Sequence, residues 1–588
     1  MALGAVGWRT PVTARRGDRL VAVDGTFFNR DELPAGGNDA ERFVSLCEQG
    51  GIDAALSRIN GDFAIAMWDA QAESLVLARD RFGLKPLYYV NRPRLFAFAS
   101  QPRVLLSLPG VPATPYAPFV ARFAASHYRT FDNEPERSPY DAVSQLPAGC
   151  LLEVKNGVAM QRRWWVLEEV PDFEATTGEL AERYRALLLD AVSRRVKVAE
   201  RPAFTLSGGL DSSSVVSCGV LASGAKQHAF SSVYADATFD ESDEIRPMLA
   251  EKIAAWHPVK LGNDVDVLPI VAQMVAIHDE PVATATWLSH FLLAKQVAGE
   301  GFGSLFGGLG GDELNAGEYE YFVFHFADLA QAGRTADLDH EIARWAAHHD
   351  HPIYRKDRAI ALAAMARLTD RSPRGINLAD RDRLGRYLNV LRDDFFDLSG
   401  WSPVMDHPFT SHLKNRTFQD IFRETAPCCL RAEDRQCTAA GLDRYDPFFD
   451  HRLVEFMFRI PGSAKVGEGT TKLLLRAAMR GILPEETRTR IKKTGWNAPA
   501  HAWFTGPGLE SVRDLIASQR FRERAIYNTA EVERLIGEHI AIMNSGEPRE
   551  NHAMFLWQLV NLELWLRALD DIPEDGMEAE RRILKGGA

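Results

Sequence analysis

Two glycine-rich stretches hold the residues best suited to chemistry. The first, AFTLSGGLDSSSVV, spans 203–216, and the second, SLFGGLGGDELNAGEYEYF, spans 304–322. Each begins as an apolar run, passes through glycines and continues into acidic or hydroxyl side chains. A strand–turn–helix loop of this kind binds phosphate, because its backbone N–H groups and the positive end of the next helix face one point. We predict positive φ angles at Gly208 and Gly209, where glycine alone avoids strain.

Aspartates in both loops indicate a divalent cation. Asp211 follows the first glycine pair and Asp312 ends the second loop. A carboxylate repels phosphate unless a cation lies between them, and Mg²⁺ commonly binds one or two carboxylates together with phosphate oxygens. Neither loop has the spacing of a Walker A motif or of a GxGxxG dinucleotide motif. A plain strand-to-helix turn explains one such loop as well as ligand binding does, but it explains two matched loops poorly.

Alternating strands and helices predict how these loops are positioned. A helix is expected from Thr177, and AFTL, HAFSSVY and SLFGG read as strands. Further helices are predicted after Asp211 and near SDEIRPMLAEKIAAW (242–256), and the chain beyond residue 320 reads as mostly helical. This order indicates an α/β fold with a doubly wound parallel sheet, whose ligands bind beyond the carboxyl ends of the strands.

Residues 1–165 have a different pattern, typical of an antiparallel β-sandwich. A helix is expected in DAERFVSLCEQGG, with Asn38 or Asp39 as its cap and Gly50 at its end. A linker is expected around Pro171, so we predict two domains, 1–165 and 176–575. The short predicted strands are RLVAVDG, FAIAMWD, SLVLARD, PLYYV and RLFAFAS.

Composition excludes several classes of protein. The net charge of −12, with acids and bases mixed along the chain, argues against nucleic-acid binding by bulk electrostatics. No apolar run approaches the ~20 residues of a membrane helix, and the first twenty residues lack a signal-peptide pattern. We therefore expect a cytoplasmic protein without nucleic-acid or membrane partners.

Cysteine and histidine spacing argues against disulfides and zinc. Six cysteines in 588 residues are too sparse for a disulfide framework. Zinc-site spacing is missing from the group Cys428, Cys429, Cys437, His407 and His412. It is also missing from HEIARWAAHH (340–349), so no metal is expected there.

Over nearly its whole length the chain resembles the asparagine-synthetase superfamily. SGGLDSS is similar to the pyrophosphate-binding loop of the family's PP-loop ATP pyrophosphatase domain, and GGLGGDEL, YDPFFDHRLVEFMFRIP and TKLLLRAAMRGILPEETRTRIKKTGW support the match. VDGTFFN, NGDFAIAMWD and LARDRFGLKPLYYV resemble its glutaminase domain. The resemblance implies an enzyme that uses ATP and Mg²⁺ and cleaves ATP to AMP and pyrophosphate.

The resemblance also implies roles for particular residues. Asp211 and Asp312 would bind Mg²⁺. Lys493, or alternatively Lys492, aligns with the family lysine that stabilises charge in adenylation and acyl transfer; on its own, such a lysine reads as a solvated surface residue. Pyrophosphate contacts are implied for Ser207, Gly208, Gly209, Asp211, Ser212 and Ser213, and nucleotide contacts for Leu206, Ser232, Gly307 and Gly308.

Departures from the family pattern concern the nucleophile. Position 2 is Ala2 and the first cysteine is Cys47, whereas family glutaminases use an N-terminal cysteine, so we expect this domain to make no ammonia. Few residues also separate Arg16 from VAVDGTFFN, so part of the glutamine-binding segment is missing. At the substrate end, Leu309 replaces the glutamate of SGEGxDE, and Asp443 and Tyr445 replace a Glu and an Arg.

Three hypotheses follow for the function. The first is a lasso-peptide macrolactam synthetase that joins the N-terminal amine of a core peptide to an Asp or Glu side chain, since a bound peptide presents its own amine at high effective concentration. Its partners would be the precursor peptide, a leader-binding protein and a leader peptidase. The second is an ammonia-using asparagine synthetase or a β-lactam synthetase, and the third a non-catalytic binding or scaffold protein. Candidates for the base are Glu318, Tyr319, Glu320 and the 340–349 segment.

Overall fold

The computed structural model describes residues 12–262, 265–348, 356–368, 385–491, 498–546 and 549–570. The chain forms two compact units. The first unit comprises residues 1–116, 134–167 and 567–588, and the second comprises 117–133 and 168–566.

The first unit contains two antiparallel sheets, as predicted. One has six strands in the order β1-β2-β3-β4-β8-β9, and the other has three in the order β6-β5-β7. A buried apolar cluster that includes Leu77 and Leu152 continues into Tyr89 and Phe98 of the smaller sheet. The strands are β1 Val12–Arg16, β2 Arg19–Phe27, β3 Gly61–Asp69, β4 Ser74–Arg79, β5 Tyr88–Arg92, β6 Leu95–Ala99, β7 Ser144–Gln145, β8 Cys150–Lys155 and β9 Val158–Arg163.

One long helix, Asp39–Arg58, covers the outer face of the larger sheet. The predicted cap is confirmed, because the Asn38 side chain accepts a hydrogen bond from the Glu41 N–H. The predicted end at Gly50 is wrong: the helix continues to Arg58 through a kink at Gly51, whose φ is 81°. Buried apolar residues on both sides of the kink keep the two segments on the sheet. Shorter helices span Arg30–Glu32 and Pro102–Leu106.

The second unit is built on a five-stranded parallel sheet. Its strands are β10 Pro202–Thr205, β11 Gln227–Tyr234, β12 Ile253–Leu261, β13 Ser304–Phe306 and β14 Asp443–Tyr445, in the order β12-β11-β10-β13-β14. All neighbouring pairs are parallel. Because β10 pairs directly with β13, the loops that leave these two strands lie side by side at one edge of the sheet. The predicted α/β class is confirmed.

Two predictions for this sheet need correction. The helix expected over 242–256 covers only Arg246–Glu251, and the next residues form β12. β12 is an edge strand, and Pro258 is tolerated there because an edge position does not need every backbone N–H. The mostly helical region beyond residue 320 also contains an unpredicted strand, β14, which extends the sheet beyond β13.

Helices make up most of the rest of the second unit. Thr177–Val198 begins as predicted, with a capping box between Thr176 and Glu179. The remaining helices are Ala117–Ala125, Tyr128–Thr130, Leu210–Ser223, Leu268–His278, Thr286–Gly299, Gly311–Asn315, Tyr321–Gln331, Thr335–His348, Arg358–Leu368, Leu388–Val390, His412–Phe422, Thr425–Ala440, Pro447–Phe449, His451–Met457, Gly462–Lys465, Leu473–Ala478, Glu485–Thr489, Ala500–Trp503, Gly506–Ala517, Gln519–Glu523, Thr529–Ser545 and Ala553–Asp570.

The structure also describes the cysteines and the lengths of the helices. All six cysteines lie in the described ranges, and each is a buried free thiol. Among the described helices, none has the length and apolarity required to span a membrane.

Candidate active site

The two glycine loops approach each other closely because the glycines at the contact have no Cβ atom. A Cβ at position 308 would lie 2.8 Å from the Ser212 backbone nitrogen, and one at position 311 would lie 2.3 Å from Asp211 Cγ. The predicted positive φ angles at Gly208 and Gly209 are wrong, because both residues have ordinary backbone angles. Close approach, rather than left-handed backbone, explains the glycines: a Cβ on Gly208 would lie 2.6 Å from Glu244 Cβ.

The first loop directs its N–H groups to side-chain oxygens. The Ser207 N–H donates to Ser212 Oγ (3.1 Å), the Gly209 N–H to Ser207 Oγ (3.2 Å) and the Gly208 N–H to Glu241 Oε2 (3.0 Å). Buried donors need such acceptors. A phosphate that bound here would therefore have to replace, with its own oxygens, the hydroxyl and carboxylate oxygens that accept these hydrogen bonds. Burial raises the pKa of the Glu241 carboxyl to about 7.

A single ammonium group connects the two predicted metal ligands. Lys472 Nζ contacts Asp211 Oδ2 and lies 2.7 Å from Asp312 Oδ1. The lysine side chain is 8% exposed, and its backbone is left-handed, with φ 59°. Both carboxylates therefore face one cationic position between the loops. Carboxylate oxygens around one such point are the donor set that Mg²⁺ prefers, so these residues fit the predicted ion.

Both loops line one large cavity within the second unit. Its volume is about 1560 Å³. In the described part of the chain, Gly208 and Ser213 are not among the lining residues; the Ser213 hydroxyl is buried without a hydrogen-bond partner. Lys492 and Lys493 lie outside the described residues. The predicted residues that do line the cavity are Leu206, Ser207, Gly209, Asp211, Ser212, Ser232, Gly307, Gly308 and Asp312.

Several charged residues on the cavity wall were missed by sequence reasoning. Lys472, Arg476 and Arg490 provide positive charge near the first loop, and Glu313 follows Asp312. Burial lowers the pKa of Arg476 to about 10 and raises that of Glu313 to about 8. The basic residues fall within TKLLLRAAMRG and RTRIKK, but nothing in the local spacing indicated that these segments return to the sheet edge.

The cavity extends well beyond the glycine loops. Leu309 lines it, as do the three base candidates Glu318, Tyr319 and Glu320. Glu320 is ion-paired with Arg129. At this end Lys356 Nζ lies 4.9 Å from the Tyr319 ring centroid and 5.4 Å from that of Trp345. This end of the cavity therefore combines aromatic, apolar and paired charged groups.

A histidine–glutamate pair forms another part of the wall. His290 and Glu433 both line the cavity, and His290 Nε2 lies 3.4 Å from Glu433 Oε1. A Cβ at position 307 would lie 3.1 Å from the same oxygen. Burial disfavours the ionised Glu433 carboxyl, but His290 and Arg444 beside it outweigh burial and lower its pKa.

The 340–349 segment contributes a surface cluster. It places three potential metal-ligand atoms within 4.8 Å of one another, one each from His340, Glu341 and Glu468. His340 hydrogen-bonds Glu468 at 2.7 Å, and Arg344 pairs with the same carboxylate at 3.0 Å. These contacts are those of an exposed ion-pair network.

Comparison with known proteins gives consistent family matches. Residues 183–567 match the asparagine synthase family, and residues 8–165 match the glutamine amidotransferase domain. A putative glutamine-hydrolysing asparagine synthetase of Mycobacterium tuberculosis is 25% identical, over 93% of this chain and 84% of its own length. Asparagine synthetase 3 of Bacillus subtilis is 27% identical, over 87% and 81%. The amidase chyE of Penicillium rubens is 25% identical, over 84% and 78%.

Proposed function

Because the chain belongs to the asparagine synthase family, we propose that it is an ATP-dependent ligase that activates a carboxylate as its adenylate and transfers the acyl group to an amine. The observation that carries this proposal is the convergence of Asp211 and Asp312 on one cationic position between the two loops. More specifically, we propose that the substrate is a lasso-precursor core peptide, which the enzyme closes into a macrolactam.

The first half-reaction uses the glycine-loop end of the cavity. A substrate carboxylate oxygen attacks the α-phosphorus of ATP, the bond to the β-phosphate oxygen breaks, and pyrophosphate leaves. Mg²⁺ held by Asp211 and Asp312 would neutralise phosphate charge in this step. The loop N–H groups, the start of helix Leu210–Ser223, Arg476 and Arg490 provide further positive potential for the leaving pyrophosphate.

The second half-reaction takes place at the same acyl carbon, while the rest of the acyl substrate occupies the remainder of the cavity. Its volume of about 1560 Å³ exceeds the ~300–1,000 Å³ of an ordinary small-molecule pocket, so a nucleotide leaves room for a larger acyl substrate. Leu309 contributes an apolar side chain where the family's asparagine synthetases have a glutamate. These features support a peptide that brings its own amine, with an effective concentration that free ammonia does not reach.

Incubation with ATP, Mg²⁺ and the core peptide encoded beside this gene tests the proposal. We expect a product lighter by one water, together with one AMP and one pyrophosphate per ring closed, measured by mass spectrometry and nucleotide analysis. An unchanged peptide with ATP consumed by another carboxylate would contradict the macrolactam. No ATP turnover with any carboxylate, by a correctly folded protein, would favour a non-catalytic role.

Ammonia-dependent asparagine synthesis is the second candidate. The names of the bacterial relatives favour it, since both are called asparagine synthetases. Aspartate with ammonium or glutamine, in place of the peptide, distinguishes the two candidates. Asparagine and AMP formed at a rate above that of the peptide reaction would support this candidate and overturn the macrolactam.

A further inference from the structure

One part of the cavity is lined by apolar side chains from three helices. We call these residues the apolar wall: Val323 of helix Tyr321–Gln331, Trp345 of helix Thr335–His348, and Ile360, Ala361 and Ala364 of helix Arg358–Leu368. We propose that the apolar wall binds a large apolar or aromatic side chain of the acyl substrate, and that Ala364 limits the size of that side chain. The inference rests on the proposed ligase function, which places the carboxylate of the same substrate at the glycine loops.

The residues of the apolar wall pack together as one surface. Val323, Trp345 and Ala361 belong to a single buried apolar cluster, and Ala364 packs against that cluster. The Trp345 ring also contacts Phe326 edge to face, with 5.8 Å between the ring centroids. A surface that is part of a packed core keeps its shape, so it can distinguish substrate side chains by their size.

Helix Arg358–Leu368 leaves apolar surface open to the cavity. Ile360 and Ala364 are one helical turn apart and therefore lie on the same face of the helix. The Ile360 side chain is 41% exposed although it lines the cavity. Covering such an apolar surface with a ligand is favourable. Ala361 and Ala364 have only a methyl group each, so they leave space that a bound side chain can fill.

The apolar wall lies beside the second glycine loop. The cluster behind it includes Ala316, which directly follows the short helix that carries Asp312. Tyr319 continues the same side of the cavity: Lys356 Nζ lies 4.9 Å from the Tyr319 ring centroid and 5.4 Å from that of Trp345. A substrate whose carboxylate is at the loop can therefore reach the apolar wall within one cavity.

The predicted nucleotide contacts are on the other side of the first loop. Ser232 is on β11, which pairs with one edge of β10, whereas β13 and the second loop lie at the other edge of β10. The nucleotide base and the acyl substrate therefore have separate parts of the cavity, with the phosphates between them. The apolar wall belongs to the part that the acyl substrate occupies.

The chemistry of the apolar wall defines the class of side chain that it binds. Ile360, Ala361 and Ala364 have no side-chain hydrogen-bonding group, so a charged or strongly polar side chain would lose water there without a replacement partner. A leucine, isoleucine, methionine or phenylalanine side chain would instead bury its surface. Free aspartate has no such side chain, so the apolar wall favours a peptide substrate over aspartate.

The variant Ala364→Phe tests the size limit, because its ring would occupy the space proposed for the substrate side chain. We expect the KM for the core peptide to rise about tenfold or more, while the KM for ATP stays within about twofold of native. Core peptides with one apolar residue at a time changed to alanine identify the bound side chain. For one of them, the KM should be the same in the native protein and in Ala364→Phe. Ala363→Phe, on an exposed position of the same helix, is the control and should keep both native KM values.

Cysteine labelling measures binding without turnover. The six native thiols are buried, so N-ethylmaleimide should react first with the thiol introduced by Ala364→Cys. The core peptide, at about ten times its Kd, should slow this labelling about tenfold. Mg²⁺ and ATP alone should leave the labelling rate unchanged. Ala363→Cys should be labelled equally fast with and without the peptide.

The outcomes separate this inference from the proposed function. If the native protein forms the macrolactam, then native KM values in Ala364→Phe, or labelling of Ala364→Cys that the peptide does not slow, would overturn the inference alone. Protection by ATP without peptide would assign the apolar wall to the nucleotide and would also overturn it. A native protein that forms no adenylate with the peptide, although the peptide protects Ala364→Cys, would overturn the ligase function and support the apolar wall as a peptide-binding surface.

Discussion

Glu313, on the cavity wall, makes the free energy of unfolding of the protein depend on pH. Burial, together with the charge of Asp312, raises the pKa of Glu313 from 4.5 to about 8. At neutral pH the folded protein therefore holds a proton that the unfolded chain has lost. A carboxyl of this kind costs stability progressively as pH rises from about 4.5 to about 8.

For Glu313→Gln we expect that pH dependence to weaken. The variant should unfold with a free energy up to about 5 kcal/mol higher than native at pH 9, and with a difference near zero at pH 4. Urea unfolding at the two pH values measures this. Glu182→Gln, on an exposed helix face, is the control and should change neither value. Equal stabilities of Glu313→Gln and native protein at pH 9 would contradict the assignment.

Lys472 gives a second prediction at the residue scale. Lys472→Ala leaves Asp211 and Asp312 without their shared ammonium, and it removes positive charge from the leaving pyrophosphate. We expect ATP-dependent pyrophosphate release to fall by about 100-fold or more. The exposed Lys226→Ala should retain the native rate, and a matching loss in that variant would attribute the effect to general charge instead.

Single residues show how far the sequence predicts the site. Asp211 and Asp312 were identifiable because each follows a glycine loop with a recognisable order of residue types. Lys472 and Glu433 were not, since each reaches the cavity from a helical segment far along the chain, where local spacing carries no information about the sheet edge. Glu241 was missed for a similar reason: its carboxyl reaches the Gly208 N–H from a separate loop.

Among the elements, the contact between the two glycine loops is the most sensitive to added volume. In Gly308→Ala the new methyl group would lie 2.8 Å from the Ser212 backbone nitrogen, so the loop after β13 must move away from helix Leu210–Ser223. We expect a loss of about 1–3 kcal/mol in the free energy of unfolding, together with loss of ATP turnover. Denaturant unfolding and pyrophosphate release measure the two effects.

Gly537→Ala is the matched control for that variant. Gly537 lies inside helix Thr529–Ser545, and nothing is within 4 Å of a Cβ built there. Alanine is the better helix former, so the control should be neutral or more stable. Native activity in Gly308→Ala would show that the two loops tolerate separation.

Element type was predictable wherever the periodicity was long and undisturbed. The five predicted strands of the first unit, β2 to β6, and the helix Thr177–Val198 are confirmed, whereas β1, β7, β8 and β9 were not predicted. The first residues of β12 were mistaken for helix because its two alanines continue the helix-favouring composition of the preceding segment, whereas pairing with β11 determines the conformation of β12. β14 is three residues long, too short for any periodic pattern, and only the sheet position beside β13 makes it a strand.

At the scale of the whole molecule, the first unit has a glutaminase-like fold with unreactive thiols. In its described part the cysteines are Cys47 and Cys150. Burial raises the pKa of both, to about 12 for Cys47, so neither forms a thiolate readily at neutral pH. We expect no glutamate release from glutamine, measured with ATP and Mg²⁺ present. Stoichiometric glutamate would contradict this expectation.

Lys472 also affects the net charge between the two glycine loops before any nucleotide binds. Its ammonium offsets one of the two negative charges of Asp211 and Asp312, so an incoming magnesium–nucleotide complex exchanges one cation for another rather than entering a site with both carboxylates uncompensated. The displaced ammonium gains the phosphates as new counter-charge. Nucleotide affinity should consequently vary less with ionic strength than in a site with two uncompensated carboxylates.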